Sequence, residues 1–222
     1  MISPKYSLTH YYHSAKALAA KLVIAPHVVN LYLDYNCPFS AKIYFKLEKV
    51  IPELQKKHPS EFQFVFVNVV QPWHPNSVLL HEYALVVAQL LRATDPERSN
   101  GLFWSVSEAL FHNKEQFYDS ATVYLGRNDI YKKINDVVFE TVDLPLRVED
   151  VLERLEISSA SDPTEASNGG NDATVDVKYF TRYLRGVGIH VTPTVSVDGI
   201  VNDSISSGTE VEKLIEIFET YL

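Results

Sequence analysis

A single cysteine, Cys37, opens the tetrapeptide Cys37-Pro38-Phe39-Ser40, and a Thr192-Pro193 step stands far downstream, ahead of a β-like run. A lone cysteine cannot form an internal disulfide. Its chemistry is that of a thiolate that attacks a disulfide and is left in a mixed disulfide for an external thiol to resolve. Pro38 suits the first turn of a helix, which puts Cys37 at a helix N-terminus, where free N–H groups and the helix dipole favour the charged sulfur and lower its pKa. This placement predicts a partly exposed, reactive thiol. Three residues on, the hydroxyl of Ser40 can hydrogen-bond a thiolate but cannot resolve a disulfide. His74, between Trp73 and Pro75, offers an acid or base near neutral pH, against the plainer role of a loop histidine packing near a helix. Trp73, Phe39 and Tyr35 could form an apolar lip, although aromatic side chains in a chain with 13 Tyr and 11 Phe more often fill a core. His190 reads as a solvated turn residue near the Thr192-Pro193 step. His81 and His112 show no metal-ligand spacing to a second cluster, so no metal site is predicted.

The elements that must position these residues follow from periodicity. Val29, Leu31 and Leu33 alternate through residues 28–35, a strand that Asn36 ends. From Pro38 onward Ile43, Leu47, Val50 and Leu54 recur at helical spacing, and Pro52 should kink or end that helix. Phe62 to Val70 is almost continuously apolar, as a strand buried on both faces must be. The two prolines of Gln71 to Ser77 make a loop. Ser77 to Arg92 is apolar nearly all round and predicts a buried helix. Three more helical patterns run over Leu102–Leu110, Ile130–Val138 and Val148–Leu155. Residues 158–173 are small and polar, with nothing to bury, and are expected to form a flexible loop. A helix resumes at about Thr174, with Gly186 and Gly188 near its end. Thr194–Val197 and Ile200–Asn202 then flank the turn signal Asp198-Gly199. The last helix is expected from about Thr209, with Ser207 and Glu210 as a capping box.

Strand, helix, strand, helical block, helix, hairpin, helix is a βαβ unit with a hairpin and an insertion. A right-handed βαβ crossover makes the first two strands parallel, so Cys37–Ser40, Gln71–Ser77 and Thr192-Pro193 converge on one rim of the sheet. With Cys37-Pro38-Phe39-Ser40 and Thr192-Pro193 at these positions, the chain resembles the DsbA-like branch of the thioredoxin superfamily, and through it the kappa-class glutathione transferases. The resemblance implies an α/β thioredoxin fold with a mixed sheet of four to five strands. Residues 1–76 and 174–222 would form the thioredoxin-like part and 77–157 an inserted helical subdomain over the rim. It further implies a cis Pro193 within van der Waals reach of Cys37 and a thiol-dependent redox or glutathione-linked activity. Cys37 would be the nucleophile, Ser40 would stabilise its thiolate, and Pro38, Phe39, Trp73, His74, Thr192 and Pro193 would line the substrate groove. Ser40 departs from the second cysteine of the dithiol enzymes, which removes their intramolecular resolving step. A glutathione transferase or isomerase, and a binding scaffold without exchange chemistry, are the two other readings.

Composition narrows the partners. A formal charge of -8, with no basic run longer than two residues, argues against nucleic acid and anionic membranes. Apolar stretches are too short to cross a bilayer. The expected partner is a small thiol or a protein thiol or disulfide, with glutathione as cosubstrate and no tightly bound cofactor. Met1 to Lys21 has no continuous apolar core, which with the single cysteine gives a cytoplasmic expectation.

Overall fold

A computed structural model describes residues 1–14, 17, 18 and 25–222. Residues 15, 16 and 19–24 fall outside that description, and with them part of the stretch read for an export leader. Among the described residues four strands form one sheet in the order β2-β1-β3-β4, with β1 at His27–Leu33, β2 at Phe62–Asn68, β3 at Thr194–Val197 and β4 at Ile200–Val201. β1 pairs parallel with β2 and antiparallel with β3. Both of its edges are therefore covered, as its Val29, Leu31 and Leu33 alternation requires. The outer edge of β2 is also capped, because Tyr12 N donates to Phe64 O and Phe66 N to His10 O. This is why every residue of β2 is buried, and why its sequence shows no polar face.

Helix α1, Pro38–Lys57, crosses from β1 to β2. It runs through Pro52 instead of ending there. Val50, Ile51 and Leu54 on either side of the proline are all buried, and that packing outweighs the loss of one hydrogen bond from the helix ladder. The inserted helices are α2 at Ser77–Thr94, α3 at Ser99–His112, α4 at Asp119–Thr122, α5 at Arg127–Thr141 and α6 at Val148–Leu155. α2 packs against α3, α5, α6 and the later α7, Thr174–Val187, which explains its apolar residues on every side. The core runs continuously from the sheet into these helices. Residues 158–170 are exposed throughout.

α7 closes on Gly188, whose φ of 72° is the left-handed conformation that favours glycine. The β3–β4 turn uses positive φ at both Asp198 and Gly199, and the Asp198 carboxylate is pinned by Val28 N and His27 Nδ1. The last helix, α8, spans Val211–Glu219 with Glu210 as its N-cap. The expected Ser207–Glu210 capping box does not form. Thr209 instead uses its hydroxyl within the preceding turn, donating to Ser204 O at 2.8 Å, which moves the helix start two residues along.

Candidate functional site

The site is built where β1 stops. Asp34 N–H donates to Ser40 Oγ, Asn36 N–H donates to Asp34 Oδ1 at 2.9 Å, and Cys37 N–H donates to Asp34 O at 3.0 Å. This tight turn delivers Cys37 as the N-cap of α1, with Pro38 in the first helical turn. The sulfur thus lies at the positive end of a 20-residue helix. Against expectation the residue is not partly exposed: Cys37 is 3 % accessible. Thr192 closes over it, with Cys37 Sγ 3.7 Å from the Thr192 carbonyl oxygen, and the Thr192-Pro193 peptide bond is cis. Gln71, from the loop after β2, fastens that segment by donating to His190 O at 3.2 Å and Thr192 Oγ1 at 3.3 Å. The three rim segments therefore meet.

The other sequence-predicted residues distribute unevenly around them. Phe39 and Trp73 stand out from the surface, 60 % and 61 % exposed. Tyr35 does not join them. It is fully buried, stacked on Phe66, with its hydroxyl 2.8 Å from Ser107 Oγ. Ser40 is also fully buried, and its hydroxyl is engaged by the backbone of Asp34. His190 is exposed at the edge, its Nδ1 3.2 Å from Gly188 O. Glu48 of α1 and Glu108 and His112 of α3 bring potential ligand atoms within 4.8 Å of one another.

Beneath the rim lies a cluster of polar groups that sequence reasoning missed. Asp34 is wholly enclosed, yet it accepts from His74 Nδ1 at 2.8 Å and Ser77 Oγ at 2.7 Å, and His81 Nε2 stands 3.6 Å from its Oδ1. Burial pushes its carboxyl pKa up, but the hydrogen bonds and charge of His81, with the bonds from His74 and Ser77, outweigh it and hold the group below the usual carboxylate range. The cluster extends inward. The Asn68 side chain bridges His81 Nδ1 and His10 Nε2, His10 Nδ1 meets Thr9 Oγ1, and Arg92 donates to Thr9. Asp34 had one available signal, an acidic residue ending a run of buried apolar ones three positions before the cysteine.

A groove of about 530 Å³ runs beside this turn, lined by Asn36, Pro38, Trp73, His74, Tyr118 and Asp119 among others. A helix-capping sulfur, a cis-proline segment across it and a groove alongside therefore lie together on one rim of the sheet.

Solved structures share the architecture. A candidate protein-disulfide isomerase from Pseudomonas syringae superposes with a TM-score of 0.64 at 24% identity, covering 87% of this chain and 93% of that one. BdbD from Bacillus subtilis matches at 0.57 and 19% identity over 99% and 95% of the two chains. MdbA, a thiol-disulfide oxidoreductase from Corynebacterium diphtheriae, matches at 0.59 and 16% identity over 97% and 99%. The chain has a DsbA-like thioredoxin fold. No protein-family model matches it, and a search of curated proteins finds no match. The neighbours overturn the cytoplasmic expectation. They include a thiol-disulfide exchange protein from Wolbachia pipientis and the oxidoreductase MdbA, whose chemistry is at home in oxidising compartments.

Proposed function

We propose that the chain carries out monothiol exchange at Cys37, with a small thiol such as glutathione as cosubstrate and a thiol or disulfide of a protein or small molecule as substrate. The observation that carries this reading is the seating of the chain's one cysteine at the N-terminus of α1, against the carbonyl that precedes cis Pro193. In the first step the Cys37 thiolate attacks a disulfide RSSR. One Cys37–S–S–R bond forms, the old S–S bond breaks, and RS⁻ leaves with the electron pair. Ser40 cannot attack the product, so a second thiol from solution must. The exposed Phe39 and Trp73 supply apolar surface beside the sulfur for a substrate backbone or side chain.

The 3 % exposure of Cys37 favours a second reading, a scaffold that binds a partner along the groove without exchange. Incubation of the native protein with oxidised glutathione, followed by intact-mass measurement, separates the two. A glutathione adduct that is lost in Cys37→Ser is the expected result. A thiol that stays unmodified in the folded protein and reacts only after unfolding overturns exchange and leaves binding.

A further inference from the structure

The missing second sulfur leaves an unsolved proton. In a dithiol site the resolving sulfur is held in place, whereas here an incoming solution thiol must lose its proton before it can attack, and at neutral pH only a few per cent of an ordinary thiol is ionised. We propose that His74, held by Asp34, is the general base that deprotonates this incoming thiol; the proposal rests on the monothiol reading above.

The geometry fits that task. His74 Nδ1 donates to the Asp34 carboxylate at 2.8 Å, which fixes the ring and leaves Nε2 with its lone pair. The ring is the partly exposed member of the pair, with its side chain 22 % accessible against 0 % for Asp34. It lines the same groove as Asn36 and Pro38, the residues on either side of Cys37. Asp34 is not available to solvent and is satisfied from behind by Ser77 and His81, so it acts as a positioning residue. The titratable groups around His74 are Asp34 from the β1–α1 turn, His81 from α2, and Tyr118 and Asp119 at the start of α4. A thiol R′SH gives its proton to His74 Nε2 and R′S⁻ attacks the outer sulfur of Cys37–S–S–R. The bond to Cys37 breaks, its electron pair stays on Cys37 Sγ, RSSR′ departs, and His74 returns its proton to the buffer. No further oxidant or reductant is needed.

The test starts from the glutathione mixed disulfide of Cys37, formed with oxidised glutathione and verified by mass. Its resolution by excess 2-mercaptoethanol is then followed against pH in the unmodified protein, His74→Gln and Asp34→Asn. At pH 7 His74→Gln should resolve at least roughly 10-fold more slowly, less than the usual 10²–10⁴-fold for a general base because a few per cent of the incoming thiol is already ionised. The deficit should shrink towards none as the pH passes the ionisation of the incoming thiol. With 4-nitrothiophenol, already ionised at neutral pH, the two proteins should react alike, a distinction that a purely structural role of His74 would not produce. Asp34→Asn should show the same pattern in part. Equal rates at every pH, or a deficit of the same size with both thiols, overturn the proposal while the monothiol reading stands. Failure of the adduct to form at all overturns both.

Discussion

Burial raises the pKa of two carboxylates, Asp34 just before α1 and Glu48 within it, yet their net shifts are opposite. Asp34, with no accessible surface, is held below the ordinary carboxylate range. Glu48, within α1 and only partly buried, is pushed up to about 7, by burial first and then by the like charge of Glu108. Depth alone would order them the other way. The difference is the supply of donors: Asp34 meets His74, Ser77, His81 and the Asn36 amide, while Glu48 faces another acid across an open groove lined by Tyr12, Tyr44 and Trp104. A buried charge is tolerated where hydrogen bonds replace its water, and a shallower one is not where they are missing.

The strongest way to break the comparison is to remove Asp34. Asp34→Ala strips the partner from buried His81 and from His74 and Ser77, and should lower stability by about 3–5 kcal/mol, as for other broken buried pairs. Asp34→Asn keeps the shape and part of the bonding, with an expected loss nearer 1–3 kcal/mol. Urea unfolding measures both, and a change within about 0.5 kcal/mol for Asp34→Ala would show that the cluster contributes nothing to the fold.

The next effect is on acid stability, and His10 separates it from Asp34. The folded His10 pKa is lowered to about 3, chiefly by burial and then by Arg92. The unfolded chain takes up this proton below about pH 6.5 and the folded one does not. Stability from this group is therefore complete above pH 6.5 and is lost as the pH falls towards 3, by up to about 1.4 kcal/mol per unit. Asp34 works lower: its depressed folded pKa gives stability present above the unfolded value of about 3.9 and lost as the pH falls through the folded value. His10→Asn should be less stable at neutral pH, yet flatter between pH 4 and 6. An unchanged slope in chemical unfolding over that range would mean that the histidine is protonated inside the fold.

How much of this was readable in advance differs between the two sides. The apolar alternation of Val29, Leu31 and Leu33, the saturation of Phe62–Asn68 and the Asp198-Gly199 turn gave the sheet, because each depends on local spacing. Cys37 and Pro193 were legible because a motif and an element order place them. Cys37's burial was not, since it depends on Thr192 arriving from far along the chain. The same holds for Pro52, which a helix end should follow, until the packing of Val50, Ile51 and Leu54 is known. Asp34, His81, Asn68 and His10 come from separate elements, and no periodicity relates them. Ser40 looked like a partner for the sulfur from its spacing, while its hydroxyl faces the Asp34 amide.

The smallest expected effect tests the other half of the comparison, and its sign changes with pH. A folded pKa of about 7 for Glu48 against an unfolded value of about 4.3 means that the folded state prefers the neutral acid. Its contribution is complete at low pH and is lost as the pH rises through about 7. Glu48→Gln keeps the neutral shape at every pH. The variant should therefore match the parent at about pH 4, where both states of the parent are largely protonated, and exceed it at pH 8. Solvent screening at this partly open position limits the gain to no more than about 1 kcal/mol, a rise of about 2–4 °C in Tm for a chain of this size. Glu108→Gln should give a smaller gain of the same sign, because it removes the like charge and leaves the burial. Thermal unfolding at pH 4, 6 and 8 decides it. A Tm difference independent of pH would mean that Glu48 is as well supplied with partners as Asp34, and the contrast between the two carboxylates would fall.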